Sequence, residues 1–158
     1  MLVLVLAMAP VPTAAAFAQR LTATELGIGA VAARARRTFI GGELGLGRRP
    51  GGQSRFAIAV AAGREAERAA LRAQATLQFL VTPAARRGVG PYAGFGAAFS
   101  ARRGSPSQGF VAVLIGIEGA PGRRTGWQNW YIECGVGGGL RAAAGWRLRS
   151  FPAWWSGR

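Results

Sequence analysis

From about residue 22 onward, apolar side chains alternate with small or polar ones, and the alternation breaks at stretches rich in Pro, Gly and Arg. A period of two marks strands with one apolar face, because successive Cβ atoms point to opposite sides of a sheet. Eight such segments can be drawn. The first, near 22–32, sets Leu26, Ile28 and Ala30 against Glu25, Gly27 and Gly29, and the second, near 38–48, sets Ile40, Leu44 and Leu46 against Gly41, Glu43, Gly45 and Gly47. The third, near 54–64, sets Phe56, Ile58 and Val60 against Arg55, Ala57 and Ala59. The fourth, near 67–81, sets Leu71, Ala73, Ala75, Leu77 and Phe79 against Arg68, Arg72, Gln74, Thr76 and Gln78.

The second half follows the same grammar. In the fifth segment, near 89–100, Ala93, Phe95, Ala97 and Phe99 oppose Tyr92, Gly94, Gly96 and Ser100. The sixth, near 109–119, is apolar on both faces except for Glu118, and Val111, Val113, Ile115 and Ile117 are assigned outward. The seventh, near 127–138, sets Trp130, Ile132, Cys134 and Val136 against Asn129, Tyr131, Glu133 and Gly135; the eighth, near 139–151, sets Leu140, Ala142, Trp146 and Leu148 against Arg141, Gly145, Arg147 and Arg149. One stretch has a rival reading. Residues 64–78 are rich in Ala, Leu, Arg and Glu, which local propensity favours as helix; the alternation through Arg72, Gln74, Thr76 and Gln78 favours strand.

Three arginine doublets lie in turn-like surroundings at nearly equal intervals, at Arg48-Arg49, Arg86-Arg87 and Arg123-Arg124. Neighbouring Pro and Gly supply the fixed and the positive φ that turns require. The interval suits a hairpin of strands about 10 residues long. An even number of such strands can close into an up-and-down barrel and so lose its edges.

Alternation alone permits two closures. A soluble barrel turns its apolar face inward and can hold a small apolar ligand; a transmembrane barrel reverses the faces. The polar face here is mostly Gly, Ala and Ser with scattered charges of both signs, which suits a crowded interior. On that reading Glu25, Glu43, Glu118 and Glu133 point into the lumen with Arg55, Arg68, Arg72, Arg141, Arg147 and Arg149, and opposite charges must pair there, since an unpaired buried charge is costly. Trp127, Trp130, Trp146, Phe151, Trp154 and Trp155 fall toward strand ends, where membrane-interface aromatics are expected. The expected fold is therefore all-β, an eight-stranded antiparallel up-and-down transmembrane β-barrel over residues 19–151 with a tail at 152–158.

Residues 1–18 carry no charge and begin with the apolar run Leu2 to Ala9, ended by Pro10 and Pro12. The run is too short for the roughly 20 residues of a spanning helix. Ala16 and Ala18 stand where a signal peptidase accepts small residues, so a cleavable signal peptide over 1–18 is expected, with Gln19 as the new N-terminus. Export to the outer membrane follows as the expected location.

Composition changes this picture little. The net charge of +14 raises a basic nucleic-acid-binding module as a third reading. All basic residues are Arg, there is no Lys or Asp, and Ala and Gly are abundant, a pattern of coding bias rather than of a binding face, so no nucleic-acid partner is expected. The chain has no His, which excludes Ser-His triads and His-based metal sites. Glu118 and Glu133 offer an acid/base pair in principle, but charge balance against interior arginines is the more economical reading. Gly135 to Gly139 reads as a tight hairpin connection rather than a phosphate loop, and Cys134 as a small hydrophobe. No residue is assigned to catalysis, cofactor or metal, and the chain is read as a non-enzyme.

Gly90-Pro91-Tyr92-Ala93-Gly94-Phe95-Gly96, Glu133-Cys134-Gly135-Val136-Gly137-Gly138-Gly139 and Gly145-Trp146-Arg147-Leu148 carry a resemblance. They resemble the small bacterial outer-membrane β-barrel family, the OmpA-, OmpX- and OmpW-like eight-stranded barrels. The resemblance implies an envelope-structural or surface-presenting role, partnership with outer-membrane lipid and the barrel assembly machinery, and both termini in the periplasm. In that family the last strand ends in an assembly signal with a terminal aromatic. Trp146, Leu148 and Phe151 approximate it, and the chain continues through Pro152 to Arg158.

Overall fold

The structure is a computed structural model that describes residues 21–124 and 128–155. Eight strands form it: β1 (Ala23–Arg34), β2 (Thr38–Gly51), β3 (Ser54–Glu65), β4 (Arg68–Leu80), β5 (Val89–Arg102), β6 (Gln108–Gly119), β7 (Trp130–Val136) and β8 (Leu140–Ser150). Each pairs antiparallel with the next, and β8 returns to pair with β1, from Thr24 opposite Ser150 to Arg34 opposite Leu140. The sheet is a closed barrel with no free edge. The expected signal peptide and Trp127 lie outside the described residues.

Period-two patterning is what the barrel wall expresses. Along β1 the side chains alternate buried and exposed almost without interruption, and β8 does the same beside it. The apolar set Leu26, Ile28, Leu44, Leu46, Phe95, Ile115 and Trp146 faces outward and is exposed, while Glu25, Glu43, Glu118 and Glu133 face inward and are buried. The doubly apolar β6 places Val111, Val113, Ile115 and Ile117 outside and Leu114 inside. Residues 68–80 are strand, not helix. Here the tertiary setting overrides propensity: β3 and β5 pair with β4 along almost its whole length and satisfy its backbone on both sides.

The two ends of the barrel differ. At one end the connections are short, at residues 35–37, 66–67, 103–107 and 137–139. At the other lie the short turn 52–53, the longer connection 81–88, the described residues 120–124 and 128–129 between β6 and β7, and both ends of the described chain, Leu21 and Trp155. Those longer connections and the C-terminal tail form a cover. Arg124 Nη2 donates to the carbonyls of Phe151 (3.2 Å) and Pro152 (3.0 Å), Trp155 Nε1 donates to Gly122 O at 2.8 Å, and the Arg86 guanidinium lies 4.4 Å from the Trp155 ring centroid. Phe151 is buried against Leu21, Ala23 and the half-buried Trp155. Phe151 and Trp155 therefore belong to this cover rather than to an outward girdle: Phe151 continues the inward parity of Arg147 and Arg149, and beyond Pro152 the chain folds back so that Trp155 packs on it. Trp154 is exposed on the tail, edge-on to Trp155, and Trp146 is exposed on the outer wall opposite the half-buried Trp130.

The β3–β4 hairpin closes through a two-residue turn in which Ala66 and Glu67 both have positive φ (48° and 63°). Asn-Gly suits that geometry, whereas residues with an ordinary Cβ meet their own backbone there. Replacing the pair by Asn-Gly should raise the resistance to urea by about 1–2 kcal/mol, read from the unfolding midpoint of the purified barrel. An unchanged or lowered midpoint would count against a left-handed turn at this position.

Candidate functional site

The interior is occupied by ion pairs rather than by a void. Toward the covered end, Glu118 on β6 is the hub: Arg49 Nη2 lies 3.0 Å from it, Arg55 Nη1 2.8 Å and Arg149 Nη2 3.1 Å, and Arg147 Nη1 also contacts it directly. Glu25 on β1 binds Arg49 (2.5 Å) and Arg55 (3.0 Å). These side chains come from β1, β2, β3, β6 and β8, so the cluster ties together strands that are not neighbours. Further along the lumen Glu133 pairs with Arg141, whose other amine reaches Glu43 at 2.5 Å. Tyr92 joins the two groups: its hydroxyl donates to Glu133 Oε2 and accepts from Arg147 Nη2, each at 3.0 Å.

Charge here exceeds balance by one cation, and shape is fitted to it. Five guanidiniums, those of Arg49, Arg55, Arg141, Arg147 and Arg149, meet four carboxylates. The surplus is absorbed by dipoles and rings. Arg49 Nη1 donates to Pro121 O (3.1 Å) and Pro83 O (3.2 Å), Arg55 Nε donates to Gln78 Oε1 (2.8 Å), and Arg147 stacks 4.3 Å from the Tyr131 centroid. Arg55 lies over the Tyr92 ring at 4.7 Å, a contact that desolvation strengthens. Glycine makes room for these groups: a Cβ at Gly116 would overlap the Tyr92 ring, and one at Gly47 would press on Glu25 and Arg55. Between these ion pairs only small spaces are left, about 40 and 10 Å³, and a larger cavity opens at the uncovered end.

Of the residues expected in the lumen, Glu25, Glu43, Glu118, Glu133, Arg55, Arg141, Arg147 and Arg149 are brought together in this network. Arg141 stands opposite Gly135 in register and reaches Glu133 along the diagonal. Arg72 points inward yet bonds to backbone, its Nη2 donating to Gly137 O at 2.6 Å. Arg68 is a correction: it has inward parity but sits at the first position of β4, exposed at the rim and outside the network. Arg49, Tyr92 and Gln78 are members that the charge reading did not include. Arg49 continues the alternation of Glu43, Gly45 and Gly47 one step further, into the stretch whose neighbouring Pro and Gly suggest a turn.

No protein-family model and no curated protein matches the chain.

Glu118→Gln removes the charge that holds four arginines, so it should destabilise the barrel more than Glu133→Gln does. Breaking a buried pair costs roughly 3–5 kcal/mol, whereas an exposed pair such as Arg64–Glu67 is worth about 1 or less. Urea unfolding of the three variants Glu118→Gln, Glu133→Gln and Arg64→Gln gives the order directly. Equal midpoints for all three would mean that the lumen is wet and its charges screened.

Proposed function

We propose that this protein is a bacterial outer-membrane barrel whose lumen is sealed by its own ion pairs, serving as an envelope-structural or surface-presenting element without catalysis. The observation that carries the reading is the outer belt. On β1 every outward residue between Thr24 and Arg34 is apolar, and on the neighbouring strands the same belt ends at Arg48 on one side and Arg64 on the other. Ten residues at about 3.3 Å each, tilted by roughly 40°, span about 25 Å, the height of the apolar band of a membrane barrel. In water so large a continuous apolar surface would drive aggregation; in lipid it is the ground state.

The flanking arginines suit headgroups, where their stems lie along the apolar wall and their charges reach water. A soluble barrel carrying an apolar ligand would need the opposite facing, with the aliphatic residues inside; the described strands put carboxylates and guanidiniums there. Export through residues 1–18 belongs to the same proposal, as do lipid and the assembly machinery as partners. The cover at the end bearing both termini is then periplasmic. In this respect the chain departs from the usual barrel, whose periplasmic turns are short and whose outer loops are long.

Leu44 lies mid-belt, opposite Ile28 and Val60. Leu44→Arg should cost about 2–4 kcal/mol in a bilayer, against roughly 0.5 or less for a surface position in water. Urea titration in lipid vesicles measures it, and a cost no larger than 0.5 would remove the membrane reading. The mature N-terminus should be Gln19 by mass spectrometry of protein taken from envelopes, and an intact Met1 there would contradict export by cleavage.

A further inference from the structure

The uncovered end of the barrel holds a cavity of about 320 Å³, lined by Arg36, Arg37, Arg72, Arg102, Glu65 and Phe110 among others. That volume lies at the lower end of sites that take small molecules, roughly 300–1,000 Å³. Four guanidiniums share it with one carboxylate. In the rest of the lumen each inward carboxylate is already held by at least one arginine, so no acidic group is left over for the mouth. Glu67 is also engaged, with Arg64 on the outer rim.

The arginines lining the mouth are set by different parts of the fold. Arg36 and Arg37 form the β1–β2 turn and make no ion pair among the described residues. Arg72 is fixed from below: Nη2 is committed to the carbonyls of Gly137 and Gly138, and its guanidinium lies 5.8 Å from the Phe39 centroid. Arg102 ends β5 with Nη2 on Ser105 Oγ at 2.5 Å, while its Nη1 is buried without a hydrogen-bond partner.

We infer that the open mouth is a binding site for a compact, multiply charged phosphate group, held between Arg72 deeper in the barrel and Arg102, Arg36 and Arg37 at its rim. Planar guanidiniums suit phosphate because paired N–H groups match its oxygens. Glu65 disfavours a ligand that fills the cavity on its side and leaves the arginine side for the anion. The same chemistry is presented by a free diphosphate and by the phosphorylated headgroup of a lipid. The site does not depend on the membrane reading, since a soluble barrel with this mouth would bind the free anion equally well.

The test is calorimetric titration of the refolded full chain in detergent, at constant ionic strength, with inorganic pyrophosphate, with a glycolipid bearing two phosphates, and with that glycolipid after dephosphorylation. Saturable binding is expected, weakened at least tenfold by Arg102→Gln and by the double variant Arg36→Gln/Arg37→Gln. Arg87→Gln, at the covered end, should leave it within twofold. Pyrophosphate binding as tightly as the glycolipid assigns a free phosphate compound; a tenfold preference for the glycolipid, lost on dephosphorylation, assigns the headgroup. If Arg102→Gln does not fold, the double variant in the exposed turn carries the test. Absence of saturable binding by either phosphate ligand, or equal affinity in wild type and the mouth variants, overturns the proposal.

Discussion

The rest of the structure depends on the narrowness of an eight-stranded lumen. Such a barrel leaves an interior just wide enough for side chains to fill, so whatever faces inward must pack and must neutralise itself. Glu118 meets that demand by collecting Arg49, Arg55, Arg147 and Arg149 around one carboxylate. Four large cations need space, and the wall supplies it with glycine: Gly27, Gly47 and Gly116 sit where a methyl group would touch or overlap arginine, glutamate or tyrosine. Inward-facing glycines and interior arginines are thus two halves of one packing solution.

The strand framework was legible because alternation is a local property and each segment carried it independently. Even β4, built from helix-forming residues, kept its period of two and was read as a strand. Facing follows from the same period except on the doubly apolar β6, whose two faces read alike apart from Glu118 and leave its direction open in the sequence; the structure puts Val111, Val113, Ile115 and Ile117 outside. What could not be read was where alternation stops. Arg49 remains in the wall because β2 runs on to Gly51 through an irregular register with β3, whereas Arg68 lies at the start of β4 and escapes to the rim. Phe151 shares the inward parity of Arg147 and Arg149, not the outward parity of Trp146 and Leu148, so the alternation itself directs it into the cover, where it packs on Leu21, Ala23 and Trp155.

The two ends are built from different materials. The covered end joins loops to tail through backbone carbonyls, and Arg149 and Arg49 extend the lumen network into it by donating to Gly119, Ala120, Pro121 and Pro83. The open end has short turns and arginines that exceed the local acids. Its β7–β8 turn is bent across the mouth: Gly138 and Gly139 adopt positive φ, Gly138 lies close to the Phe110 ring, and the carbonyls of Gly137 and Gly138 receive Arg72. This inward fold ties β8 to β4 across the lumen.

The lumen pairs also record how the molecule can be made. Arg55 and Glu118 are 63 positions apart, Arg49 and Glu118 69, and Glu43 and Arg141 98. None of these bonds can form within a single hairpin, and an isolated hairpin that presented Glu25 or Arg55 to hydrocarbon would carry an uncompensated charge. Partly assembled sheets are therefore penalised until β1 meets β8. Closure brings these charges to their partners together, so the ionic interior favours the finished ring over any partial sheet.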